Sequence, residues 1–126
     1  MTALAKTAAI RRGRLGELAA VWWLRLKGFR ILGRGVKVGR GSGAGEVDIV
    51  ARRGELVAFV EVKTRATLAE AAHALDPRQR RRIERAAAFF LARRGDLAGC
   101  SVRFDAVLVA PWRFPRHVTD AWRMDA

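Results

Sequence analysis

The sequence predicts an α/β sandwich with a mixed central sheet, and three observations carry that prediction. Apolar residues at helical spacing open the chain. Three strand-like segments then follow one another, the last two as a hairpin. A long capped helix and a further alternating segment come next, so strands and helices are interleaved in a way that layers helices on a sheet.

Residues 1–12 read as a loosely ordered or partly helical lead-in, and 13–126 as a single domain. From Gly13, the residues Leu15, Leu18, Ala19, Trp22 and Leu26 mark one face of a helix that stops at Gly28. That face is expected to be the buried one. Glu17 falls about 160° from its centre by the 100° step, which makes it a solvated first-turn glutamate on local grounds. Phe29, Ile31, Val36 and Val38 suggest a strand with a bulge or turn near Gly33 to Gly35. The glycine run 39–45 leads into another strand and not a helix, so it reads as a hairpin connection and not a phosphate loop; Arg40 within it is a candidate nucleic-acid contact.

The next stretch, GEVDIVARRGELVAFVEVKTR from Gly45 to Arg65, holds the chemistry. A two-residue turn at Arg53-Gly54 makes antiparallel partners sum to an odd number, so even residues of the first strand face odd residues of the second. Glu46, Asp48, Glu61 and Lys63 then share one side, with Asp48 roughly 5 to 8 Å from Glu61. Carboxylates and an ammonium so gathered suit a hard divalent cation, which takes oxygen ligands and keeps several waters. A Glu-Lys ion pair on an edge strand is the plainer reading of Glu61 and Lys63. Against it, only Lys6, Lys27, Lys37 and Lys63 are lysine among 25 basic residues, the other 21 being arginine. A lysine at this position therefore looks selected for its compact charge.

After Arg65, the alanine-rich stretch 66–75 is ambiguous between short helix and loop. Asp76-Pro77 starts a helix reaching about Arg94, with Asp76 as N-cap and Gln79 at capping-box spacing. Ile83, Ala86, Ala87, Phe90 and Leu91 form its expected buried face, and Arg78, Arg81 and Arg85 project opposite as a solvated face or a phosphate-tracking surface. Cys100 to Ala110 alternates as a strand, in which Asp105 is expected to pair with an arginine. Pro111 to Pro115 is a turn, and His117 to Ala121 a last strand or helix. Trp112 and Trp122, near Arg113, Arg116 and Arg123, are candidates for stacking bases or for packing.

Composition sets bounds. A chain of 126 residues buries about two-thirds of its unfolded surface as one domain. Its longest uncharged apolar run, Leu18 to Leu24, is too short to span a bilayer. No signal-peptide order opens the chain, and the single Cys100 fits a reducing cytoplasm. The net charge of +13 favours polyanionic partners, foremost nucleic acid, although a genome-wide arginine bias produces the same charge.

The combination of Glu17 in an N-terminal helix, Asp48 in GEVDIV, and Glu61-Val62-Lys63 in FVEVKTR resembles the Asp…Glu-x-Lys nuclease superfamily, with its restriction-endonuclease-like fold. More narrowly, the chain from about Gly13 to Trp122 is similar to the uncharacterised YraN-like family of bacterial proteins, whose pattern is similar to that of archaeal Holliday-junction resolvases. The resemblance implies a restriction-endonuclease-like α/β/α sandwich and a metal-dependent endonuclease. Asp48, Glu61 and the carbonyl of Val62 would bind Mg²⁺ or Mn²⁺, Glu17 would complete the acidic ring, and Lys63 would position or activate the attacking water. Glu46 and Gln79 are auxiliary candidates; related nucleases often carry a Lys or Gln where Gln79 stands. Arg40, Arg65, Arg78, Arg81 and Arg85 are the candidate nucleic-acid contacts, with DNA the expected partner, no membrane association, and a homodimer by analogy with resolvases. An inactive nucleic-acid-binding accessory domain is the alternative, and binding to an acidic protein a third.

Overall fold

The computed structural model describes residues 3–39, 45–74 and 76–124, with backbone alone for 4–12; Arg40 lies outside the described residues. Helix α1 (Ala3–Leu26) is followed by β1 (Arg30–Val38), β2 (Gly45–Arg53), β3 (Leu56–Thr64), α2 (Leu68–His73), α3 (Pro77–Ala92), a 3-10 turn at Gly95–Leu97, β4 (Ser101–Val109) and β5 (Arg116–Trp122). The strands form one sheet in the order β1-β2-β3-β4-β5. Only β3 and β4 are parallel, because α2 and α3 carry the chain across between them. Helix α1 covers one face through Ile49, Ala58, Val60 and Val107; α3 covers the other through Val50, Val57, Phe59 and Phe104. The result is the expected α/β/α sandwich with a mixed sheet.

The hairpin register is informative. Ile49 pairs with Val60 and Arg53 with Leu56, so partners do sum to an odd number, but the two-residue turn is Gly54-Glu55 and not Arg53-Gly54. Gly54 takes the left-handed conformation there, at φ 60°. Parity survives the shift, because moving a two-residue turn by one position changes the sum by two. Strand β1 has the expected irregularity, a bulge between Ile31 and Gly33 followed by Gly35 at φ 57°.

Helix α1 departs most from expectation. It starts at Ala3, well before Gly13, so Glu17 is a mid-helix residue. Its large apolar stripe faces outward: Leu15 is 62% exposed, Leu18 42%, Trp22 61% and Leu26 78%. The buried face is instead Gly16, Ala20, Val21 and Leu24. Glu17 lies within about 60° of Ala20, Val21 and Leu24 by the 100° step, and so turns toward the sheet. Small side chains let the helix approach: a β-carbon on Gly16 would collide with the hydroxyl oxygen of Thr64 at the end of β3. The helix ends as expected, with Gly28 at φ 91° and the Phe29 N–H donating to the carbonyl of Leu24 at 3.0 Å.

On the far side of β3, Asp105 is fully buried and fully used. Arg103 donates twice to it, at 2.7 and 2.9 Å, His117 Nε2 lies 2.7 Å away, and the Asp120 N–H donates at 2.9 Å. Burial alone would raise this carboxyl, but the donors outweigh it and hold it down at about 2. The expected arginine pairing is therefore present, within a network that ties β5 to β4. Trp122 packs on Phe104 at 5.3 Å, so of the two tryptophans it is the core residue.

Gly16 and Gly13 give a paired test of the α1 docking. Alanine gains about 1 kcal/mol over glycine in a helix. Gly13→Ala, with open space around it, is expected to gain up to that amount. Gly16→Ala must push α1 off β3 and is expected to lose about 1–3 kcal/mol net in urea melts. Equal stabilisation by both would refute the close approach.

Candidate active site

The sheet opens where β2 and β3 diverge. The last paired residues there are Ile49 and Val60. Val47 packs with the α3-side core and Ile49 with the α1-side core, so β2 changes face across Asp48 and strict alternation fails at that residue. Asp48 then substitutes its side chain for the lost ladder bond: the Val62 N–H donates to Asp48 Oδ2 at 2.8 Å. On an extended strand the N–H and C=O of one residue point to the same edge. The Val62 carbonyl is thus directed toward the same opening.

Asp48 and Glu61 share a small pocket with Glu46, Gln79, Arg82 and Ile83, close enough that each carboxyl perturbs the other. Burial pushes Asp48 above the ordinary carboxylate range, opposed by the Val62 N–H and reinforced by the charge of Glu17. Burial, then the charge of Asp48, push Glu61 up to about 7, against the pull of Lys63. Lys63 Nζ stands 3.2 Å from Glu61 Oε1, and both residues are buried. The plainer Glu-Lys ion pair is thus present, but on a central strand and out of water, where such a pair adds little net stability.

Helix α3 supplies the pocket's other wall. Asp76 caps it as expected, accepting from the N–H groups of Arg78 and Gln79 at 2.8 and 3.0 Å. The capping box is not closed: Gln79 Oε1 is buried and has no hydrogen-bond partner, because the side chain turns to the acidic pocket. Glu17 stands apart from the pocket lining. It feels Asp48 electrostatically but is held by Arg34 at 3.3 Å. The structure therefore brings Glu46, Asp48, Glu61, Val62, Lys63 and Gln79 together, with Glu17 at the margin. Arg78, Arg81 and Arg85 lie exposed on α3, as does Arg65 just beyond β3.

Among the described residues no three His, Cys, Asp or Glu side chains already converge as a complete cation cage. The donor set nonetheless fits a divalent ion of the Mg²⁺ type, which is held by one or two carboxylates and otherwise by water and substrate. Two repelling carboxyls, an acceptor without a donor at Gln79, and a carbonyl aimed at the gap are what a cation would relieve. Arg82 and Arg34 are contributors that sequence reasoning missed. Arg82 stands one helical turn after Gln79, which is the only signal that singles it out from its arginine neighbours.

The model of the Uncharacterised protein family UPF0102 matches residues 16–109, which span α1 from its docking glycine through β4 and hence every site residue above. The chain is 69% identical over 121 residues to a UPF0102 protein of Paramagnetospirillum magneticum, covering 96% of this chain and 94% of that one. It is 52% identical over 116 residues to a UPF0102 protein of Parvibaculum lavamentivorans, covering 92% and 84%. A third relative, from Rhizorhabdus wittichii, is 50% identical over 117 residues, covering 93% and 95%. Matched nearly end to end by these relatives, the chain belongs to the Uncharacterised protein family UPF0102.

Proposed function

We propose that this protein is a divalent-metal-dependent DNA endonuclease of the restriction-endonuclease-like class, hydrolysing phosphodiester bonds in branched or otherwise structured DNA. The observation that carries this reading is the pocket shared by the half-buried Asp48 and the buried Glu61 beside Lys63, in a strongly basic chain. Asp48, Glu61 and the Val62 carbonyl would hold Mg²⁺ or Mn²⁺. Such an ion supplies polarisation of a phosphoryl oxygen and a more acidic bound water. Lys63 holds its ammonium against Glu61 beside that space and would steady negative charge that develops there. Gln79 Oε1 offers an acceptor for a water proton. Glu17 contributes through its field on Asp48, and its partner Arg34 would be available to a substrate phosphate. The exposed arginines of α3 hold the backbone of the substrate without reading sequence.

A second reading, a nucleic-acid-binding domain without catalysis, is favoured by the ready-made Lys63–Glu61 pair and the Arg34–Glu17 pair, which satisfy two of the acids without a metal. Cleavage of linear, single-stranded and four-way-junction DNA separates the two. In Mg²⁺ or Mn²⁺ the parent is expected to cut and EDTA to stop it, while Glu61→Ala and Lys63→Ala lose about 10²-fold or more with DNA binding retained. Unchanged cutting in Glu61→Ala refutes the site; binding without cutting on any substrate favours the accessory domain.

The outward stripe of α1 supports a homodimer. Leu15, Leu18, Trp22 and Leu26 expose on the order of 500 Å² per copy, so two copies face to face bury about 1,000 Å², the lower limit of a specific interface. Sedimentation equilibrium at micromolar protein is expected to give a dimer for the parent and, for Trp22→Glu, a monomer that keeps the parent's circular dichroism and loses the concentration dependence of its melting temperature. A monomeric parent would exclude this use of the stripe. Among the described residues, no helix is long and apolar enough to cross a membrane.

A further inference from the structure

Beyond the acidic pocket, one segment exposes aromatic surface that the rest of the fold leaves uncovered. The loop between β4 and β5 carries Trp112 fully exposed, in the left-handed conformation at φ 63°, and Phe114 at 81% exposure. A tryptophan in water forgoes the burial of some 150–250 Å² that it gains inside a protein. A non-glycine residue at positive φ is also strained. The loop is nevertheless anchored: the Phe114 ring lies on Trp23 of α1, with centroids 5.7 Å apart. Leu68 at the start of α2 joins Trp112, Arg113 and Phe114 around an open hollow. Arg113 and Arg116 are exposed beside it.

Its position is fixed by the parallel pairing of β3 and β4. Lys63 lies opposite Leu108 and Thr64 opposite Val109, and the Arg65 N–H donates to the Val109 carbonyl at 3.1 Å. The loop therefore leaves the sheet at the end where Glu61 and Lys63 sit. Trp112 follows Leu108 by four residues, so chain reach alone keeps it within roughly 20 Å of Lys63.

We infer that the Trp112 loop is a stacking platform for an unpaired nucleobase of the strand held at the acidic pocket, with Arg113 and Arg116 on its phosphates. This rests on the nuclease or nucleic-acid-binding reading above and narrows it to a substrate class. Continuous duplex keeps its bases stacked on one another and offers the ring no free face. Single strands, forks and junctions do, and the stacking is indifferent to sequence because every base has a π-face. The exposed Arg113 and Arg116 beside the ring favour a polyanionic occupant over a second copy of the loop, which would bring the same arginines to the contact.

The test is binding in EDTA, where nothing is cut, read by anisotropy of labelled single-stranded, forked and duplex DNA of equal length. Trp112→Ala is expected to weaken single-stranded and forked DNA about tenfold and duplex less than twofold, with Trp112→Phe retaining most of the affinity. The side chain is fully exposed, so circular dichroism and melting temperature are expected to stay at parent values. Equal weakening of all three substrates, or of none, overturns the platform. If Trp112→Ala instead loses binding to phosphatidylglycerol vesicles with its DNA affinities intact, the loop is a membrane contact and the inference fails. A parent that binds no nucleic acid removes the broader reading as well, whereas selective loss in a protein that never cuts leaves the platform standing without the nuclease.

Discussion

Two carboxyl groups that share one pocket, the half-buried Asp48 on β2 and the buried Glu61 on β3, constrain the structure around them. Withdrawn from water and close to each other, such groups cannot both ionise cheaply, and the cost appears as a Glu61 carboxyl raised to about 7. Two neighbours make the pair tolerable: the Val62 N–H, released where the strands part, binds Asp48, and Lys63 approaches Glu61. Glu17, brought to the margin by the close approach of α1 over Gly16, opposes them by pushing Asp48 further up, and is itself paired with Arg34. A buried polar cluster of this kind adds little stability compared with an apolar core of the same volume. Its presence on β2 and β3 is the feature that the proposed metal site accounts for.

The contrast with Asp105 makes the point within one molecule. That carboxylate is buried more deeply still, yet four donated hydrogen bonds from Arg103, His117 and the Asp120 backbone satisfy it and keep it ionised, at about 2. It holds β5 in place and asks for nothing further. Asp48, Glu61 and the orphaned Gln79 oxygen are the under-satisfied set, and they face one pocket.

Much of this was legible from sequence, for reasons that also mark the limits. Hairpin parity depends only on an even turn length, so Asp48, Glu61 and Lys63 were brought together correctly although the turn itself sits one residue later, at Gly54-Glu55. The α3 cap and buried face followed from Asp76-Pro77 and the apolar period. Helix α1 was misread because hydrophobic periodicity favours large side chains, whereas the contact with β3 is made by small ones, Gly16 and Ala20, that allow close approach; the large ones are turned outward. Gln79 satisfies the spacing of a capping box, but spacing does not say whether the amide folds back on the helix or reaches into a pocket. Nor does a run of arginines reveal that Arg82 in particular lines it.

The central claim is that the acidic pair stands ready for a divalent cation, and proton release on binding tests it directly. Near pH 7 Glu61 retains part of its proton in the metal-free protein, and a bound cation must displace it, so affinity rises with pH through about 7 and levels off above. Titration calorimetry with Mn²⁺ at pH 7, in two buffers of different ionisation enthalpy, is predicted to show net proton release on binding, and clearly less in Glu61→Gln. Binding that releases no proton, or that Glu61→Gln leaves unchanged in affinity and proton count, would contradict the account.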